Sequence, residues 1–150
     1  MTQEDKKLLL KDLCARLSHD VKVAFFNEDL THHSEPKTLI GIECINNSNY
    51  SRLEDEDGNT TIVEFVKPYL FPLSSMTKEQ YEEWCDLEAE PLDEILTRNA
   101  NCEKMSTLEH HLLIAKSLTD SVNYCYKNHF DIYGLIPMGL AIDATGLNIY

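Results

Sequence analysis

Residues 49–66 read NYSRLEDEDGNTTIVEFV, and the centre of that stretch decides the fold. Asp57-Gly58 sits between two short segments rich in β-branched and apolar residues. Glycine takes a positive φ without steric penalty, so this dipeptide predicts a hairpin with a strand on either side. Working outward, the period of two continues. VKVAFF (21–26) alternates Val21, Val23 and Phe25 against Lys22, Ala24 and Phe26. TLIGIECI (38–45) places Ile40, Ile42 and Cys44 on one side. NEDLTHHSEPK (27–37) is a polar loop between them. Pro68 and Pro72 remove two amide donors, which predicts that any strand there is an edge or an extended tail. Residues 21–73 therefore predict a small, strongly curved antiparallel sheet, for which closure into an SH3-like barrel is one available form.

Helices flank this region. Thr2 is placed to cap a first helix whose Leu10, Leu13, Cys14 and Leu17 recur on one face, with Lys6, Lys7, Lys11 and Arg16 on wetter faces. Beyond Leu73 the spacing turns helical. Thr77 with Gln80 forms one capping signature, with Met76 set to staple onto Tyr81; Ser106 with Glu109 forms another, with Met105 and His110. The first of these helices carries Tyr81, Trp84, Cys85 and Leu87, and Pro91 restarts it as PLDEIL. TRNANCEK (97–104) is a polar loop. The second runs from Thr107 towards Asn128, with Leu108, Leu112, Ala115, Leu118, Val122 and Tyr126 as its predicted buried stripe. The closing segment NHFDIYGLIPMGLAIDATGLNIY (128–150) is apolar and broken by Gly134, Pro137 and Gly139. It cannot form one long helix, and is expected to turn near the glycines and pack back over helices or sheet. The reading is an α+β fold in a single domain, 1–150, with 21–73 mainly strand and 76–130 mainly helix.

The composition is that of an ordinary globular chain: 150 residues, 43% hydrophobic and 26% charged. The formal charge of −13 is concentrated. Between Thr77 and Ile95, Glu79, Glu82, Glu83, Asp86, Glu88, Glu90, Asp93 and Glu94 face Lys78 alone, a net −7, and Glu54–Asp57 adds −4. Such a surface repels phosphate backbones, which argues against direct nucleic-acid binding, and it leaves open a protein partner that is itself basic. The start lacks the order of a secretory leader, and no run approaches the roughly 20 apolar residues of a membrane helix. The expectation is a soluble, cytoplasmic protein that does not meet the membrane. Cys14, Cys44, Cys85, Cys102 and Cys125 are odd in number and scattered, which predicts reduced thiols.

Candidate chemistry is sparse. Cys125 and His129 are four apart at the end of the last helix, a spacing that allows a thiolate–imidazole pair or half a zinc site. A packed cysteine and a helix-ending histidine account for the same residues more simply. His32-His33 and His110-His111 lack the spacing of metal ligands. Asp55, Asp57 and Asn59 suggest calcium, yet Gly58 and Val66 fall where an EF-hand loop would not have them. Phosphate-loop, dinucleotide, nucleophile-elbow and zinc-protease motifs do not occur. No catalytic residue, no metal ligand and no cofactor is assigned.

KKLLLKDLCARL (6–17), the VKV strand and VKPYLFPLSSMTKEQ (66–80) resemble a group of small uncharacterised proteins from gut-bacterial genomes and their phages. NHFDIYGLIPMGLAIDA (128–144) is similar to that group's closing segment, although Ile132-Tyr133 stand where the group tends to have Tyr-Arg. The resemblance implies a mobile-element setting and no chemistry. Three functions compete: a non-catalytic protein-interaction module, which is favoured; an acidic inhibitor that imitates DNA and blocks a nucleic-acid enzyme; and an enzyme using Cys125 and His129.

Overall fold

The protein is described here from a computed structural model covering residues 1–44, 51–87 and 107–150. The chain divides into two compact units, Met1–Ser75 with His129–Tyr150, and Met76–Asn128. The larger unit carries helix α1 (Gln3–Arg16) and strands β1 (Lys22–Phe25), β2 (Lys37–Cys44), β3 (Ser51–Asp55), β4 (Thr60–Ile62), β5 (Val66–Leu70) and β6 (Ile142–Asp143). The smaller unit carries α2 (78–87) and α3 (Thr107–Lys127). The α+β class read from the sequence holds.

The six strands run in the order β4-β3-β2-β1-β5-β6. The hairpin at Asp57-Gly58 joins β3 to β4, and Gly58 has φ 79°. Buried Asp55 builds this turn: its carboxylate accepts from the amides of Asp57 at 3.0 Å and Asn59 at 2.9 Å. These bonds satisfy the carboxylate internally and leave a structural turn where the sequence hinted at calcium.

The sheet departs from expectation in three respects. It does not close, because β4 and β6 stand at opposite edges, so the barrel form is not realised. It is mixed, because β6 pairs parallel to β5 while the other pairs are antiparallel. And β5, despite Pro68, lies between β1 and β6. The proline is tolerated because β6 pairs only with Tyr69 and Leu70, leaving β5 an edge locally at Pro68.

The predicted face of β2 is also corrected. Leu39 pairs with Asp55 and Gly41 with Glu54, so Ile40 is the extra residue of a bulge. Leu39 is buried, Ile40 is 54% exposed and Ile42 is half-buried.

Helix α1 opens with the expected cap. The Thr2 hydroxyl accepts from Asp5 N, and the Asp5 carboxylate accepts from Thr2 N at 2.8 Å. Its buried residues are Leu9, Asp12, Leu13 and Arg16, a stripe that leaves Cys14 exposed. Arg16, expected on a wet face, has no exposed surface. Burial is possible because Asp12, one turn earlier, accepts from Nε at 2.8 Å and Nη2 at 3.0 Å, and the Phe130 carbonyl accepts from Nη2 at 2.6 Å.

The closing segment is part of this unit's core. Phe71 N donates to His129 O at 2.9 Å and Asp131 N donates to Phe71 O at 2.8 Å. The chain turns at Gly134 and Gly139, each with φ 71°. Buried Asp131 braces the first turn by accepting from the amides of Leu135 and Ile136, both at 2.8 Å. Leu135, Leu140 and Ala141 join Leu9, Leu13, Val23, Leu39 and Leu70 in one apolar cluster.

In the smaller unit, Thr77 caps α2 as expected: Gln80 N donates to its hydroxyl at 3.2 Å and Thr77 N donates to the Gln80 side chain at 2.9 Å. The second cap at Ser106, the restart at Pro91, the loop at 97–104 and Cys102 lie outside the described residues.

Candidate functional site

The acidic surface begins on α2. Glu79, Glu82, Glu83 and Asp86 are exposed and recur at spacings of three, one and three, which places them on one side of the helix. Lys78 stands 3.5 Å from Glu82 in an exposed pair worth little to stability. Glu83 also accepts from the Tyr124 hydroxyl at 2.9 Å, joining α2 to α3. Desolvation and this carboxylate push the Tyr124 phenol up to about 12. Glu88, Glu90, Asp93 and Glu94, the rest of the acidic run, lie outside the described residues.

Cys125 and His129 fall in different units. Cys125 is a buried residue of α3, but the helix ends at Lys127 and His129 has φ 58°. The two therefore do not share the helical face that a spacing of four implies. His129 belongs to the larger unit, where burial and then the Arg16 guanidinium depress its imidazole to about 4. At neutral pH it carries no charge to favour a thiolate.

Helix α3 carries the feature that sequence reasoning missed. Leu112, Leu118 and Val122, read as buried, are 59%, 58% and 40% exposed, and Ala115 is exposed with them. Ile114, one turn before Leu118, is 39% exposed. Tyr126 alone among the expected stripe's side chains from Leu112 onward is buried. The other buried residues are Ser117, Ser121 and Cys125, each four apart, and the Ser117 hydroxyl donates to Leu87 O of α2 at 3.4 Å. Small side chains thus form the inward side and large aliphatic ones face water. At about 100° per residue, Ile114, Leu118, Val122, Ala115, Thr119 and Leu112 spread over one broad side of the helix, an arc that also holds exposed His111 and buried Cys125 and Tyr126. None of them is Lys, Arg, Asp or Glu, and Lys116, Asp120 and Lys127 lie on another side. The signal in the sequence was the Ser117–Ser121–Cys125 row, which suits close helix approach.

A buried polar cluster lies in the larger unit. Arg16 joins Asp12 to the Phe130 carbonyl, Asp131 holds the following turn, and the His129 ring stacks on Tyr150 with centroids 3.7 Å apart. Desolvation raises the Asp12 carboxyl against the opposing pull of Arg16. Asp12, Arg16 and Asp131 direct these hydrogen bonds to one another and to the backbone, as structural groups do.

Among the described residues no group of three or more His, Cys, Asp or Glu is arranged to hold a metal ion, and no helix is long and apolar enough to cross a membrane. His33 Nδ1 lies 2.8 Å from the Ser34 carbonyl, and its ring packs against Phe26. Cys14, Cys85 and Cys125 are in no disulfide. No family model, no curated protein and no solved structure matches the chain.

Proposed function

We propose that this protein is a non-catalytic protein-interaction module, with the aliphatic side of α3 as its docking surface. The observation that carries this reading is the exposure of Leu112, Ile114, Leu118 and Val122 on a side of the helix without Lys, Arg, Asp or Glu. Contiguous apolar surface of this kind marks interaction sites, and anchors four residues apart suit a helix laid into an apolar groove. The partner is a protein that offers such a groove. These four side chains present roughly 300–400 Å², taking a Leu as somewhat smaller than an aromatic, which is short of the roughly 800 Å² per partner of a standard flat interface. A groove that wraps the helix makes up the difference better than a second copy of the same face.

The proposal includes a cytoplasmic setting on a mobile element, supported by the resemblance of residues 6–17, 66–80 and 128–144 and by the scattered thiols. A second reading, the acidic inhibitor that imitates DNA, is favoured by the exposed side of α2 bearing Glu79, Glu82, Glu83 and Asp86.

The experiment compares affinity capture from the native host by the parent chain, by Leu118→Asp/Val122→Asp, and by Glu79→Gln/Glu82→Gln/Glu83→Gln/Asp86→Gln, at 50 mM and at about 0.5 M salt, where exposed charges are screened within a few ångströms. Docking on α3 is expected to survive salt and the glutamines and to vanish with the aspartates. Capture lost with salt and with the glutamines would replace it with DNA imitation.

A further inference from the structure

His129 is only 8% exposed, and its ring lies beneath Tyr150 with an interplanar angle of 13°. Its Nδ1 is buried and makes no hydrogen bond. The charged groups around it within the larger unit are Arg16 from α1 and His19 and Asp20 from the turn after α1; Asp12 is already paired with Arg16, and Asp131 faces Asp12. Tyr150 anchors the last residues to the sheet: its hydroxyl donates to Tyr69 O of β5 at 2.7 Å and accepts from Lys22 N of β1 at 3.1 Å. Residues 145–148 are exposed between that anchor and β6.

We infer that His129 and Tyr150 form an acid-sensitive clasp: protonation of the buried imidazole releases residues 145–150 from β1 and β5 while the main apolar cluster around Leu9, Leu39 and Leu70 stays packed. In the imidazolium both ring nitrogens carry a proton, so the buried Nδ1 is an N–H that nothing accepts, and a positive charge lies on the side of Arg16 with Asp12 already engaged. The route to water that disturbs least is displacement of Tyr150, which is 42% exposed, whereas Phe130 and Leu135 are 2% and 0% exposed. Two further hydrogen bonds, Leu147 N to Ala144 O and Thr145 N to Asp143 Oδ1, are local turns, and the segment's remaining hold is apolar: Ile149 packs on the Ala24, Tyr69 and Ala144 cluster and the Tyr150 ring lies 5.8 Å from that of Phe71, contacts that release gives up. Burial and Arg16 keep the imidazole neutral until the pH falls well below 6.5, so the clasp is closed at neutral pH.

The test is a titration of the full ¹⁵N-labelled chain from pH 7 to pH 4 by NMR, following the His129 ring and amide protection factors. The Lys22 amide, bonded to the Tyr150 hydroxyl, is expected to lose at least about tenfold in protection in step with His129, a free-energy change of about 1.4 kcal/mol or more. The Leu39 amide, bonded to Val21 O, and the Ala144 amide, bonded to Leu70 O, are expected to keep theirs. His129→Phe retains a flat ring that takes no proton, and Lys22 protection in it is expected to be independent of pH. Should that variant not fold, the coincidence of the two parent titrations decides. Lys22 protection that is unchanged through the His129 titration, lost together with that of Leu39, or equally pH-dependent in His129→Phe would overturn the inference.

Discussion

A guanidinium with no exposed surface is stable only while each of its partners holds. Arg16 spends its bonds on Asp12 and on a carbonyl 114 residues away, so it joins α1 to the closing segment. Arg16→Met leaves the Asp12 carboxylate buried without its ion pair and is expected to cost about 3–5 kcal/mol in urea unfolding. Asp12→Leu/Arg16→Met removes both charges and is expected to recover much of that loss; a double variant as weak as the single one would refute the assignment. His129 sets the acid dependence. Its folded-state value of about 4 lies below the ordinary 6.5, so the unfolded chain takes up the proton first as the pH falls. Its penalty is absent above pH 6.5, grows as the pH falls towards 4, and at about 1.4 kcal/mol per pH unit reaches at most roughly 3.5 kcal/mol. Opening of the clasp reduces that figure. Unfolding measured between pH 7 and pH 4 is expected to show a smaller loss in His129→Phe than in the parent, and equal losses would contradict the assignment.

At the scale of elements, α3 reverses the usual distribution, with serines inside and leucine and valine outside. The Ser121 hydroxyl is buried with no hydrogen-bond partner. Ser121→Ala is therefore expected to be neutral or stabilising by about 1 kcal/mol, since it removes an unsatisfied group. Ser121→Leu is expected to destabilise by about 1–3 kcal/mol through overpacking. Leu118→Asp, at an exposed site, is expected to change stability by less than about 0.5 kcal/mol. Equilibrium unfolding of the three variants checks the order, and a Leu118→Asp loss of several kcal/mol would place that leucine in the core. The sequence could not show this reversal, because spacing identifies a face without saying which face is covered. Short-range devices were legible: the Asp57-Gly58 turn, the Thr2 cap and the Thr77–Gln80 cap each depend on residues within a few positions. The Ile40 bulge was not, since a register shift belongs to two strands at once.

At the scale of the molecule, the sequence revealed the α+β class and the return of the closing segment, but hid the pairings that join distant parts. β6 has two residues, too few for a period, and its parallel alignment with β5 follows from a connection that passes through the whole smaller unit. Burial of Arg16 was hidden for the same reason, because its carbonyl partner comes from that returning segment. Phe130, Leu135 and Leu140 are buried there, each worth about 1.5–3 kcal/mol against a net stability of roughly 5–15 kcal/mol for a domain. Deleting Asp131–Tyr150 is therefore expected to abolish cooperative unfolding of the larger unit, and a truncated chain that melts at the parent temperature would contradict its place in the core. The candidate docking surface was half legible: Leu112, Leu118 and Val122 were named from the sequence, as buried residues, and Ile114 was not named. The central claim is that a partner protein docks on that aliphatic side, and the most direct measurement is photo-crosslinking in the native host. A photoreactive residue at Leu118 is compared with one at Lys116, also exposed but on another side of α3. The expected result is a discrete protein adduct from position 118 that position 116 does not give. The same adducts from both positions, or none from position 118, would contradict the claim.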